Sequence, residues 1–180
     1  KDLVPVAELN DIVFGAWDLY EDDGYDAAIK ADVLKQRDID PVKDELRAIR
    51  PYKALFDKSY ASNIDGPNVK SGTRWEMTEQ LREDIRSFKA ENGCERVVVI
   101  WIASTEKFIK RNDEVHGSVA AFEAAMKADD KANVAPSMCY AYAAMREGCP
   151  FVMGAPNLCV DIPAMWELAE ETKTPITGKD

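Results

Sequence analysis

The chain has a single histidine, His116, and none of its four cysteines pairs at CxxC spacing. Cys94, Cys139, Cys149 and Cys159 stand too far apart for a structural zinc site, which needs four Cys or His ligands at short paired spacings. The spacing reads instead as reduced thiols, the usual state in a cytoplasmic protein. His116 sits in "RNDEVHG", a loop-like setting that predicts a surface residue, and one histidine alone makes no Ser/His/Asp triad. No GxGxxG fingerprint is present, so dinucleotide binding does not follow from a glycine motif. No block of Lys and Arg stands against the net charge of -10, which argues against nucleic acid or an anionic membrane surface as partner. A few local donors can still hold an anionic substrate, because diffuse charge is screened over roughly 10 Å. The apolar runs fall far short of the roughly 20 residues a membrane span needs. The first residues, "KDLVPVAELND", show neither a signal-peptide pattern nor an initiating Met, and the expectation is a piece of a longer chain. Repeats and low-complexity tracts are also lacking.

What is present suits one soluble domain of 180 residues with a sizeable core. "VVVIWIASTE", Val97 to Glu106, runs apolar without alternation and then turns small and polar. That pattern predicts a strand covered on both faces, as in a parallel sheet between helix layers. "DIVFGAWD" is a second strand candidate, stopping at Asp18; "PFVMGAPN" and "TPITGKD" are a third and fourth. Between them lie helix patterns. "YDAAIKADVLK" offers an apolar face of Ala28, Ile29, Ala31, Val33 and Leu34, and "PVKDELRAIR" opens on Pro41. Residues 52 to 72 show no period and read as a long irregular loop. Thr73 and Glu76 form a capping-box pattern opening a helix to about Glu91, with Met77, Leu81, Ile85 and Phe88 on one face and Gly93 as its stop. A helix is expected over Val119 to Met126, another with Ser137 as N-cap and Gly148 beyond its end, and a last one capped by Asp161.

The alternation of strands and helices predicts an α/β fold, doubly wound on a mostly parallel sheet. In such sheets ligands lie beyond the carboxyl ends of the strands. Those ends are "GAWD", "WIAST", "MGAPN" and "TGKD", each passing from apolar to small or acidic residues. Small residues let a ligand approach the backbone, and an Asp accepts hydrogen bonds from sugar hydroxyls. Gly, Asn, Asp and Ser are equally ordinary strand stops, and the pattern alone leaves both readings open. Trp17, Trp101 and Trp166 read as core, and the charges of "TEQLREDIRSFK" as a solvated helix face.

Five segments, "DIVFGAWD", "TRWEMTEQLREDIRSFK", "ERVVVIWIASTE", "APSMCYAYAAMREGCPFVMGAPN" and "PAMWELAEETKTPITGKD", together resemble the myo-inositol-1-phosphate synthase family, in a bacterial form typical of Bacteroidetes. Similar family segments read GWD, VLWTANTER, SPSTLFAVASILEGCPFINGSPQN and GDDFKSGQT. The resemblance spans nearly the whole chain, in order. It implies a modified Rossmann domain that binds NAD. It further implies an NAD-dependent conversion of glucose 6-phosphate into inositol phosphate (inositol-3-phosphate synthase), serving inositol and phospholipid biosynthesis, in a cytoplasmic homotetramer. Carried over by position, Asp18 resembles the acidic residue that contacts the adenosine ribose. Ile102, Ala103, Ser104 and Thr105 match the segment lining the NAD site, Ala54 and Leu55 a Ser-Val pair near the cofactor, Gly154 and Ala155 the Gly-Ser of NGSPQN, and Asp180 the second acidic residue of GDD. Hydroxyls are lost at Ile102 and Ala155, so contacts there should be backbone or apolar; Ser104 replaces an Asn and reaches less far, and Lys179 replaces an Asp, which makes that edge less negative. By the same alignment the family's Gly-rich loop precedes Lys1. The FKSGQT segment, catalytic lysines and tetramerisation domain follow Asp180. Residues 1–180 are thus expected to be the central part of the NAD-binding domain, with no catalytic residue assigned and no metal site. The alternative is a non-catalytic partial Rossmann module that binds a partner or folds only within a larger assembly.

Overall fold

The computed structural model describes residues 6–179. Among the described residues five strands form two parallel sheets. β1 (Trp17–Asp18) pairs with β2 (Tyr52–Lys53), with Asp18 opposite Lys53. β3 (Val99–Trp101), β4 (Phe151–Met153) and β5 (Ile176–Gly178) lie in that order, Trp101 opposite Met153 and Met153 opposite Gly178. Parallel neighbours require crossovers, and helices supply them, as the alternation predicts. α1 (Gly24–Ala31), α2 (Gln36–Ile39) and α3 (Lys43–Ala48) stand between β1 and β2, with a 3-10 turn at Asp40–Val42 carrying Pro41. α4 (Arg74–Asn92) leads to β3. α5 (Asp113–His116), α6 (Val119–Lys127) and α7 (Pro136–Arg146) connect β3 to β4, and α8 (Pro163–Thr172) connects β4 to β5.

The capping box of α4 forms as its spacing predicts. Thr73 Oγ1 accepts the Glu76 N–H at 3.2 Å, and Glu76 Oε2 accepts the Thr73 N–H at 2.8 Å. The helix stops at Gly93, whose φ of 60° is one a residue without Cβ adopts cheaply. Met77, Leu81 and Ile85 are buried on one face, against α7 and α6. α7 is the centre of the core: every residue from Pro136 to Met145 is buried.

Several expectations are corrected. Ser137 is not the N-cap of α7; Ala135 is, and Pro136 takes the first helical turn, so Ser137 falls inside the helix and is fully buried. Asp161 does not cap α8, which starts after Ile162. Its carboxylate accepts the Cys159 N–H at 3.0 Å and the Lys179 ammonium at 2.7 Å instead. α1 ends at Asp32, in the left-handed region at φ 50°, and Val33 and Leu34 are exposed; Tyr25 is what that helix buries. The "DIVFGAWD" strand pairs only at Trp17–Asp18, and Ile12, Val13 and Phe14 are exposed. The loop over 52–72 begins with β2 and makes a parallel bridge between Ala54 and Val69, too short to show a period.

His116 is buried rather than on the surface. Its Nδ1 accepts the Asn112 N–H at 3.0 Å and its Nε2 lies 2.8 Å from the Asn133 carbonyl, so both ring nitrogens are engaged within the fold. Trp166, expected in the core, is 51% exposed. β3 is not covered on both faces: Val99 is buried, whereas Val98, Ile100 and Ile102 are exposed, the last by 84%. The helix layer touches one side of the strand, and the other side has no cover among the described residues.

Candidate functional site

Three strand ends converge on Tyr140, in the second turn of α7. The ring of Tyr140 meets Trp17 at 5.2 Å and Trp101 at 5.3 Å, both edge-on, which draws the last residue of β3 and the residue before Asp18 to one aromatic hub. The Tyr140 hydroxyl accepts the Leu55 N–H at 2.8 Å, which adds the end of β2. Gly154 then lies directly beside the end of β3, its N–H donating to the Trp101 carbonyl at 2.9 Å. A Cβ on Gly154 would stand 2.7 Å from that carbonyl oxygen, so the close approach needs glycine.

The candidate residues fall into two groups along this edge. Ile102, Ala103, Ser104 and Thr105 are exposed and run outward from β3, beside exposed Gly154 and buried Ala155 at the end of β4. Asp18 is exposed at the end of β1, with Oδ1 accepting the Tyr20 N–H at 2.9 Å. A cavity of about 380 Å³ opens beside it, lined by Asp18, Tyr20, Asp22, Ala27, Lys30 and Ala31. Ala54 and Leu55 are buried, and their backbone N–H groups donate to Asn68 and Tyr140. Asp180 lies outside the described residues.

A buried polar cluster, which pattern reading missed, sits behind this edge. Glu106 closes the polar run that follows β3 and is only 6% exposed. Its Oε1 accepts the Ser137 N–H at 2.9 Å; its Oε2 accepts the Ser137 hydroxyl at 2.6 Å and the Asn157 amide at 2.9 Å. Burial pushes the Glu106 carboxyl above its ordinary value, while the Ser137 bonds pull the other way. Nothing in the local period marks Glu106 as buried. A charged residue after a strand ordinarily reads as solvated, and only the docking of α7 encloses it. Nearby, the guanidinium of buried Arg74 reaches Asp57 at 2.5 Å and the Val134 carbonyl at 3.0 Å. Burial raises the Asp57 carboxyl, but bonds from Ser59 and Arg74 outweigh it and leave it below the usual range.

The three buried thiols are inert by environment: burial pushes Cys139 up to about 11 and raises Cys149 and Cys159 as well. Among the described residues no group of three His, Cys, Asp or Glu side chains is placed to hold a metal, and no helix is long and apolar enough to cross a membrane.

An edge of small exposed residues at parallel strand ends, with a carboxylate beside a cavity, fits a dinucleotide. The small residues admit the backbone approach of a long cofactor, and Asp18 has the chemistry to accept hydrogen bonds from ribose hydroxyls. Comparison with known proteins decides the family. An NAD-binding family model described as "Myo-inositol-1-phosphate synthase" matches residues 1–180, the whole chain.

The chain belongs to the myo-inositol-1-phosphate synthase family.

Relatives in this family agree. The chain is 59% identical over 181 residues to "Inositol-3-phosphate synthase 1" of Bacteroides thetaiotaomicron, matching 100% of this chain and 42% of that protein. It is 33% identical to the Drosophila melanogaster inositol-3-phosphate synthase, again over 100% of this chain and 32% of the relative. The crystal structure of inositol-3-phosphate synthase from Caenorhabditis elegans superposes with a TM-score of 0.92 at 27% identity, over 99% of this chain and 35% of that one. The chain thus spans less than half the length of these synthases. Its fold is the Rossmann-like arrangement of the myo-inositol-1-phosphate synthase family, and its cofactor is NAD.

Proposed function

We propose that the chain is the central NAD-binding portion of an inositol-3-phosphate synthase. The whole protein would isomerise D-glucose 6-phosphate to 1D-myo-inositol 3-phosphate, feeding inositol and phospholipid biosynthesis. The observation that carries this reading is the match to the family along all 180 residues, with 59% identity to a synthase of the same name. The working assembly in this reading is a cytoplasmic homotetramer, which is what the resemblance of the matched segments implies. A non-catalytic module is not favoured, because every matched relative named above is a synthase.

In this reading Asp18 holds the adenosine ribose, with the neighbouring cavity receiving that end of the cofactor. Ile102 to Thr105, Gly154 and Ala155 line the path of the rest, joined by Ala54, Leu55 and Asp180. NAD supplies a hydride acceptor that is regenerated within the turnover. Backbone and small side chains do the binding along the β3 and β4 ends, since Ile102 and Ala155 have no hydroxyl to offer. Phosphate binding and proton transfer are assigned to parts of the synthase outside this chain.

The intact protein, given NAD and glucose 6-phosphate, should release inositol phosphate with no net NADH. Absence of that product would sink the assignment. Asp18→Ala in the same protein should weaken NAD about tenfold or more, the loss of hydrogen bonds to a charged group worth roughly 1.5–3 kcal/mol. Unchanged affinity would remove Asp18 from the site.

A further inference from the structure

Two spans, 102–105 after β3 and 154–156 after β4, carry most of the candidate cofactor-lining residues; the first is exposed throughout, the second at Gly154 and Pro156 on either side of buried Ala155. Each is held at its near end by the ladder: Trp101 lies opposite Met153, and the Gly154 N–H bonds the Trp101 carbonyl. Each is held at its far end by the buried cluster. Glu106 ends the first span and Asn157 ends the second, and the two side chains bond each other at 2.9 Å. Ser137, in the first turn of α7, bonds both: Oγ to Glu106 at 2.6 Å and the Asn157 amide to Oγ at 3.1 Å. The carboxylate therefore has three donors from two elements and belongs itself to a third.

An apolar contact would hold these loops in the fold just as well and would cost less. Burying a carboxylate costs several kcal/mol even after relaxation. What hydrogen bonds add is directional: they weaken steeply with distance and angle, so they set position where apolar packing only sets proximity. We propose that Glu106 is a positioning residue, fixing the loops after β3 and β4 against α7 so that their exposed backbone forms the surface on which NAD lies. The proposal rests on the NAD-binding reading of this edge. Glu106 touches no cofactor; it acts through residues 102–105 and, by way of Asn157, through Gly154 and Ala155.

The test uses the intact protein, with NAD titrated by calorimetry and thermal midpoints recorded for each variant. Glu106→Gln keeps the size and one acceptor but sets an amide against the Asn157 amide. Its affinity for NAD should fall about tenfold or more. At saturating NAD, its KM for glucose 6-phosphate should stay within about twofold of wild type. Leu168→Ala opens a cavity on α8, away from this edge, and should lower the midpoint while leaving NAD affinity unchanged within about twofold. Asn157→Ala should weaken NAD in the same direction as Glu106→Gln, and the double variant should lose less than the two losses combined, as expected of one shared network. Wild-type affinity in Glu106→Gln, or an equal loss in Leu168→Ala, overturns the proposal. If Glu106→Gln does not fold, Asn157→Ala decides, and wild-type NAD affinity in it overturns the proposal as well. Failure of the wild-type protein itself to bind NAD would be seen in the first titration, and would overturn the NAD reading and this inference together.

Discussion

The Tyr140 hydroxyl accepts the Leu55 N–H at 2.8 Å, in a fully buried contact between α7 and the end of β2. With Trp17 and Trp101 packed edge-on to the same ring, this one side chain joins three strand ends. Burial pushes its phenol far above the ordinary value, so it stays protonated.

Tyr140→Phe keeps the ring contacts and removes the acceptor, leaving a buried N–H unpaired. Stability should fall by ~1–3 kcal/mol, read from denaturant unfolding. A change under a few tenths of a kcal/mol would show that the Leu55 N–H finds another acceptor.

Arg74→Met should be more severe. Arg74 is 1% exposed and bonds Asp57 and Val134; removing it strands a largely buried carboxylate. Loss of one partner of such a pair costs ~3–5 kcal/mol. Adding Asp57→Leu should restore part of that stability in the double variant. No recovery would mean that the Val134 bond and packing, rather than the ion pair, carry the cost.

Gly154→Ala places a methyl 2.7 Å from the Trp101 carbonyl oxygen, which is backbone and cannot swing away. Relief requires moving the loop after β4 from the end of β3. The expected cost is ~1–3 kcal/mol, with weaker NAD binding in the same variant. Full stability together with full NAD affinity would show that the close approach is dispensable.

Glu106 should leave a pH signature in stability. Burial raises its folded-state pKa above the ordinary 4.5; the nearby Asp57 charge adds to this, and the Ser137 bonds and Arg74 oppose it. Below 4.5 both states are protonated and no cost appears. As pH rises past 4.5 the unfolded chain loses the proton first, so this group's contribution to stability falls until the folded carboxyl ionises. The stability of wild type relative to Glu106→Gln should therefore decline on going from pH 4.5 towards neutrality. A difference independent of pH would show that burial does not shift this carboxyl.

Local chemistry was enough where it is self-sufficient. The Thr73–Glu76 capping box, the Met77, Leu81 and Ile85 face, and the Gly93 stop all act within one helix, and α4 forms as its spacing predicts. The parallel α/β order followed from the alternation of strand and helix patterns. The candidate NAD-lining positions came from matched segments, since small residues at a strand end look alike whether or not they bind anything.

Tertiary structure decided what depends on distant partners. His116 has polar, loop-like neighbours in the chain, yet Asn112 and Asn133 satisfy both its nitrogens and the fold closes over it. Val98, Ile100 and Ile102 have the pattern of a strand buried on both faces, but exposure depends on what packs opposite, and the described residues cover one face. Glu106 looks like a solvated charge in "ASTEK". It is buried because α7 and the loop after β4 bring three donors to it from 31 and 51 residues away. The sequence by itself determined the long helices and the strands β3, β4 and β5, through short-range periodicity, whereas β2 lies in a stretch too short to show a period. Only the packing of those segments decided which polar groups lose water, because burial is a property of pairs of elements and no single stretch contains it.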